Sequence, residues 1–230
     1  MIKVSFRWFI NEFKSSLKWW KVPLFIIITA TLVIYNSGAV SNQFISIYWG
    51  IYLTAIVSVV VLPKFKKIDF LLPQDANSRL TYIITSSAVV LFFMIVWHFG
   101  INLINVAFGK YDIGEAFMRL LCRDILLLTI ITTSTAAERY SPVIELTEEG
   151  RPVKKIKSRK EKRRTLYLII LMSYPTLHVA IFVNVLQGLW YGVSTMLAYP
   201  CTLAATYIIL SGMSKSNFSY ETIRKPVKII

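Results

Sequence analysis

The sequence predicts an all-α fold: a polytopic membrane helical bundle of six transmembrane helices, preceded by an amphipathic interfacial helix, with both termini cytoplasmic. Two observations carry that prediction. Apolar runs recur at about 22–40, 43–63, 80–108, 119–137, 165–187 and 189–210, and a hydrocarbon core about 30 Å thick needs about 20 apolar residues of helix. Lys and Arg fall almost entirely in alternate gaps: 23 of the 26 lie before the first run, after the second, after the fourth, or in the tail. Basic residues stay on the cytoplasmic side, so an even number of crossings with both ends inside fits the charge. The 55% hydrophobic content and mean hydropathy of +0.57 exclude an ordinary soluble domain.

Residues 1–21 form the interfacial helix. Ile2, Phe6, Phe9, Phe13, Leu17 and Trp20 recur at steps of three and four, while Lys3, Arg7, Lys14 and Lys18 take the other faces. A basic helix with an aromatic stripe lies in the headgroup plane. Residues 22–210 form the six-span domain, and the first span is expected to remain as an anchor. The gap at Asn36–Asn42 is short and uncharged, as suits an external turn. The cytoplasmic loop 63–79 holds two prolines, then Asp75 or Asn77 as a candidate helix cap. A short surface helix is expected there. The third run exceeds the membrane thickness and must tilt or protrude. The loop 138–164 carries the basic block KKIKSRKEKRR, which can extend the fifth helix into the cytosol. The fifth and sixth spans meet at a tight outer turn near Gln187–Gly192, with Trp190 and Tyr191 as interface anchors. Residues 211–230 form a polar cytoplasmic tail.

The net charge of +14 fits loops facing anionic lipid better than nucleic acid. Cys122 and Cys201 sit in apolar runs and read as packing residues. The sequence holds no G-x-x-x-x-G-K-[ST], no H-E-x-x-H and no Cys/His metal spacing. Gly192-Val193-Ser194-Thr195 faintly resembles the G-x-S-x of intramembrane serine proteases. That chemistry expects a histidine in a later span, and both His98 and His178 come earlier.

Polar groups at membrane depth are the candidate functional residues. Arg123 and Asp124 open the fourth span and are expected to dip into the outer leaflet. Glu115, Arg119 and Arg123, spaced by four, should share one helical face and can pair. His98, Asn102 and Asn105 fall on one face of the third span, which should therefore look into the bundle. Thr129, Thr132, Thr133 and Thr135 place the fourth span inside as well. Tyr174-Pro175, followed by His178, and Tyr199-Pro200 mark two kinked spans. His98, Asn102, Asn105, Arg119, Arg123, Asp124 and His178 are the candidates for a pathway or gate.

The layout resembles the membrane subunits of ATP-binding-cassette exporters of the type-2 permease class. The resemblance rests on the amphipathic helix from Phe6 to Trp20, six spans, the segment Asp69-Phe70-Leu71-Leu72-Pro73, and Arg79-Leu80 leading into span three. It implies a coupling helix over Leu72 to Arg79, with Leu72, Pro73, Asp75, Asn77 and Arg79 facing a separate ATPase subunit. It also implies a second permease copy or a sister permease, a multi-pass place in the cytoplasmic membrane of a bacterial cell, and a hydrophobic peptide or lipid as substrate. Catalysis is expected outside this chain, which holds no cofactor of its own; ATP and Mg would belong to the ATPase partner. Re-entrant helices, frequent in that family before the last span, have little room at Gln187–Gly192. The alternatives are a membrane scaffold without transport, or a lipid-modifying enzyme using His98, Arg123 and Asp124.

Overall fold

A computed structural model describes residues 2–16, 18–36, 43–61, 76–138, 159–182 and 188–214, all within or beside helices. The elements are α1 (Ile2–Ser16), α2 (Lys21–Asn36), α3 (Gln43–Val60), α4 (Ala76–Ala107), α5 (Ile113–Arg119), a π-helical turn π1 (Leu120–Asp124) and α6 (Ile125–Glu138). Then follow α7 (Arg159–Leu177), a second π-helical turn π2 (His178–Phe182) and α8 (Gly188–Ser214). No strand occurs among the described residues, as the sequence predicts.

α4 is the central rod and touches α1, α2, α5, π1, α6 and α8. One apolar core joins Phe9, Ile28, Leu32, Val57, Met94, Ile101 and Leu128 from α1, α2, α3, α4 and α6. A second joins Leu126, Leu127, Ile131, Val179 and Ala198, tying α6 to π2 and α8. The aromatic stripe of α1 turns toward α4. Phe9 is 3% exposed and stacks on Phe93 with centroids 4.2 Å apart. The middle of the stripe, Phe9 and Phe13, packs on the bundle through ring contacts with each other and with α4, while Phe6 and Trp20 stay exposed.

The outside of the bundle is apolar. Ile26, Ile27, Tyr52, Phe92, Val96, Tyr167, Leu197, Leu203 and Tyr207 are exposed on five helices. Several hydroxyls within the helices are satisfied locally: Thr29, Thr54, Thr129, Thr195 and Thr202 each donate to the carbonyl four residues back. Thr129, Thr132 and Thr133 are buried, and Thr133 meets Thr206 of α8 at 3.1 Å. The side chain of Thr135 lies outside the described set.

Several expectations change. Among the described residues two helices, Leu80–Ala107 and Leu189–Gly212, are long and apolar enough to cross a membrane; the apolar stretches Lys21–Asn36, Tyr48–Val60 and Thr165–Leu177 are shorter. Six crossings are not supported by that measure. The reason is length: the 16 residues of α2 rise about 24 Å, and Arg119, Arg123 and Asp124 interrupt the fourth run. Asn77 and Arg79 sit in the first turn of α4 rather than in a separate surface helix, so Asn77 is past the capping position. Leu72, Pro73 and Asp75 lie outside the described residues, as do 139–158 of the long basic loop and 215–230 of the tail. The end of the basic block, from Arg159, does open α7. α8 starts at Gly188, inside the segment read as a turn. Trp190 is exposed there, whereas Tyr191 turns inward to stack on His178.

Candidate functional site: a buried Asp–Arg–His cluster

The backbone between α4 and α5 sets up the cluster. α4 ends in a Schellman arrangement: Lys110 N–H bonds the Asn105 carbonyl at 3.0 Å and Gly109 N–H bonds that of Val106 at 2.9 Å. Gly109 holds φ at 66°, a conformation that favours glycine. The chain reverses, and Asp112 caps α5 by accepting from Glu115 N–H at 2.7 Å. This tight reversal folds Tyr111 back over the last turns of α4. Its hydroxyl donates to Asn102 Oδ1 at 3.0 Å.

The π1 turn then aims Asp124 inward. The Ile125 N–H bonds the carbonyl of Leu120, five residues back, so one residue more than in an α-turn is accommodated. Asp124 is fully buried. Its Oδ1 accepts from Arg123 Nε at 2.7 Å and its Oδ2 from Asn102 Nδ2 at 2.9 Å. His98 Nδ1 stands 3.9 Å from Oδ2, beyond hydrogen-bond reach. On its other side His98 Nε2 meets Thr54 Oγ1 of α3 at 3.2 Å. The sequence-predicted face of α4 thus points inward: His98, Asn102 and Asn105 are 4%, 0% and 0% exposed.

Of the expected Glu115, Arg119 and Arg123 face, the Glu115–Arg119 pair forms and Arg123 leaves it. Arg119 holds Glu115 at 2.7 Å on the exposed rim and stacks 4.4 Å over the Tyr111 ring. Arg123 turns to Asp124 because π1 breaks the spacing of four. Burial pushes the Tyr111 phenol above its ordinary range, while Arg119 and Arg123 pull it the other way. It remains a neutral donor to Asn102 at physiological pH. A polar ladder therefore runs from Glu115 and Arg119 at the rim, through Tyr111 and Asn102, to Asp124 and Arg123. Replacing Tyr111 by phenylalanine keeps the ring under Arg119 but removes the donor to Asn102. The expected loss is about 0.5–1.5 kcal/mol, read as a lower midpoint of thermal unfolding of the purified chain in detergent.

A small cavity of about 30 Å³ adjoins the cluster, walled by Asn36, Gly50, His98, Arg123, Asp124 and Val179 among others. That space admits a water or two.

His178 belongs to a different cluster. Its Nε2 meets the Cys122 carbonyl at 3.1 Å, and its Nδ1 meets Ser194 Oγ at 2.8 Å. Tyr174 hydroxyl lies 3.1 Å from the same Ser194 oxygen, and Tyr199 donates to the Leu121 carbonyl. A carbonyl only accepts, so the ring proton sits on Nε2 and Ser194 donates to Nδ1. The order of residues along the chain excluded this pair in the sequence, yet π2 and the start of α8 bring it together. All four groups are occupied and closed in, which makes them a clamp of α7, α8 and π1.

Thr54 and Tyr111 were missed by sequence reasoning, whereas Tyr174 and Ser194 stood out only as part of a proline kink and of a faint G-x-S-x. Only the mid-helix placing of Tyr174 and Ser194 in apolar runs hinted at partners. Among the described residues, no three His, Cys, Asp or Glu side chains are grouped to hold a metal ion. Comparison with known protein families, with curated proteins and with solved structures finds no match for this chain.

Proposed function

We propose that this chain is a membrane-embedded permease subunit, working with a separate ATPase to export a hydrophobic or amphipathic substrate of the peptide or lipid class. The observation that carries the membrane part is the inverted distribution of polarity. Charged and amide side chains, Asp124, Arg123, Asn102 and His98, occupy the interior, while large apolar side chains cover the outside of five helices. Lipid tolerates that surface, and intramembrane charge is kept where it is paired. Six helical rods supply the crossings: α2, α3, α4, the continuous α5–π1–α6, α7 with π2, and α8. The shorter rods cross where the bilayer thins or where flanking residues reach the interface. With the termini inside, the polar ladder sits in the outer half of the bundle, as a gate would.

The ATP-driven part rests on the resemblance at Asp69–Pro73 and Arg79-Leu80. A tagged chain purified from its native membranes should bring down a separate ATP-hydrolysing polypeptide. Replacing Leu72, Pro73 and Arg79 together by alanine should abolish that association while the helix content is retained. A wild-type preparation free of any ATP-hydrolysing partner would remove the transport reading and favour a scaffold.

A further inference from the structure

The second clamp is fully satisfied; the first is not. His98 is 4% exposed, and its Nδ1 has no hydrogen-bond partner. Hydrogen-bond bookkeeping says which tautomer is present. Thr54 has one hydroxyl proton, and it goes to the Gly50 carbonyl at 2.7 Å. The contact between Thr54 Oγ1 and His98 Nε2 therefore needs a proton on Nε2. A neutral ring would then turn a bare Nδ1 lone pair toward the carboxylate oxygen Oδ2 of Asp124, 3.9 Å away. Acceptor would face acceptor in a buried place, where unmatched polar groups are costly.

The geometry points to a proton-binding site at His98 Nδ1, completed by Asp124 Oδ2 and opening on the adjoining cavity. With a proton there, a ring movement of about 1 Å makes a charge-assisted hydrogen bond to Oδ2. Without it, the lone pair and the carboxylate repel, and Asn102 alone holds α4 to that oxygen of π1. The charged groups facing His98 are Asp124 and Arg123, both from π1. Arg123 is held on the other carboxylate oxygen. Tyr111 reaches the site only through Asn102. α2, α3 and π2 wall the cavity with groups that do not titrate, among them Asn36, Gly50 and Val179, and α6 adds Leu127. The Glu115–Arg119 pair of α5 lies out at the rim. His178, Tyr191 and Tyr199 of π2 and α8 gather around Leu121 and Cys122 in the other clamp. α1 packs on the Tyr82–Phe93 part of α4.

The test reads the ring itself and does not depend on transport. The chain has two histidines, so ring-¹⁵N-histidine labelling in detergent gives two sets of signals, and a H98Q sample identifies those of His98. Both ring nitrogens of His98 should carry a proton in the wild type, and Asp124→Asn should leave one of them bare in the same buffer. One bare nitrogen on wild-type His98 throughout about pH 5 to 8 would overturn the assignment and give the gap to a bridging water. Both nitrogens still protonated in the Asp124→Asn chain would remove Asp124 from the site. If that variant does not fold, the wild-type signals alone decide whether the proton is there.

Discussion

Replacing Arg123 by leucine should destabilise the bundle by about 3–5 kcal/mol, because it takes the nearest cation and the sole donor to Oδ1 from a buried carboxylate. Asp124 is completely buried, and Arg123 Nε is its closest donor at 2.7 Å. Asn102 then remains on Oδ2, but one neutral amide does not compensate a desolvated charge. The single Asp124→Leu variant should do comparable harm for the mirror reason, since it strands the guanidinium and frees the Asn102 amide. The double variant Arg123→Leu with Asp124→Leu should recover most of the loss, because two packed apolar side chains replace a pair whose desolvation roughly cancels its attraction. Arg123→Lys should not rescue, since Lys offers a point charge and no planar fork to direct at Oδ1. The measurement is the temperature at which each detergent-solubilised variant loses its monodisperse elution. A double variant as damaged as the singles would mean that the pair contributes geometry and not merely charge balance.

This cluster also shows what the sequence allows a reader to see. His98, Asn102 and Asn105 follow the helical period, so their shared inward face is written in their spacing. The ends of the apolar runs locate the rods to within a few residues, as the bounds of α3 and α8 show. Arg119 and Arg123 obey the same period, yet they part company. The cause is a backbone hydrogen bond, Ile125 N–H to the Leu120 carbonyl, and no side-chain pattern encodes a π turn. The reversal at Gly109 is likewise a backbone event. It alone explains why Tyr111, which no sequence pattern singles out, becomes the donor to Asn102. Membrane depth was less legible than helix. A hydropathy run counts residues without saying how many of them lie in one straight rod, and so α2 came out shorter than the run that contains it.

Replacing His178 by alanine should cost about 2–5 kcal/mol, the range for a large side chain removed from a closed interior, and more than any other single change in its clamp. The imidazole is fully buried and serves two sides at once. It donates from Nε2 to the Cys122 carbonyl and accepts at Nδ1 from Ser194. Its removal takes one partner each from the Cys122 carbonyl and the Ser194 hydroxyl and opens a void beneath the Tyr191 ring. Pro175 makes the site more dependent on that side chain. It lacks a backbone donor, and π2 follows directly at His178, so side-chain bonds hold α7 and α8 where the regular helix ladder is interrupted. Ser194→Ala should cost less, about 1–3 kcal/mol, as it removes little volume but takes the partner from both His178 Nδ1 and the Tyr174 hydroxyl. Tyr174→Phe should cost less than about 1 kcal/mol, because Ser194 keeps its bond to His178 and only the proton donated by the tyrosine is lost. The order His178→Ala, Ser194→Ala, Tyr174→Phe in thermal stability is what the assigned direction of donation requires. If Tyr174→Phe were as harmful as His178→Ala, the clamp would instead hang on the Tyr174 bond to Ser194, and π2 would have no need of its histidine.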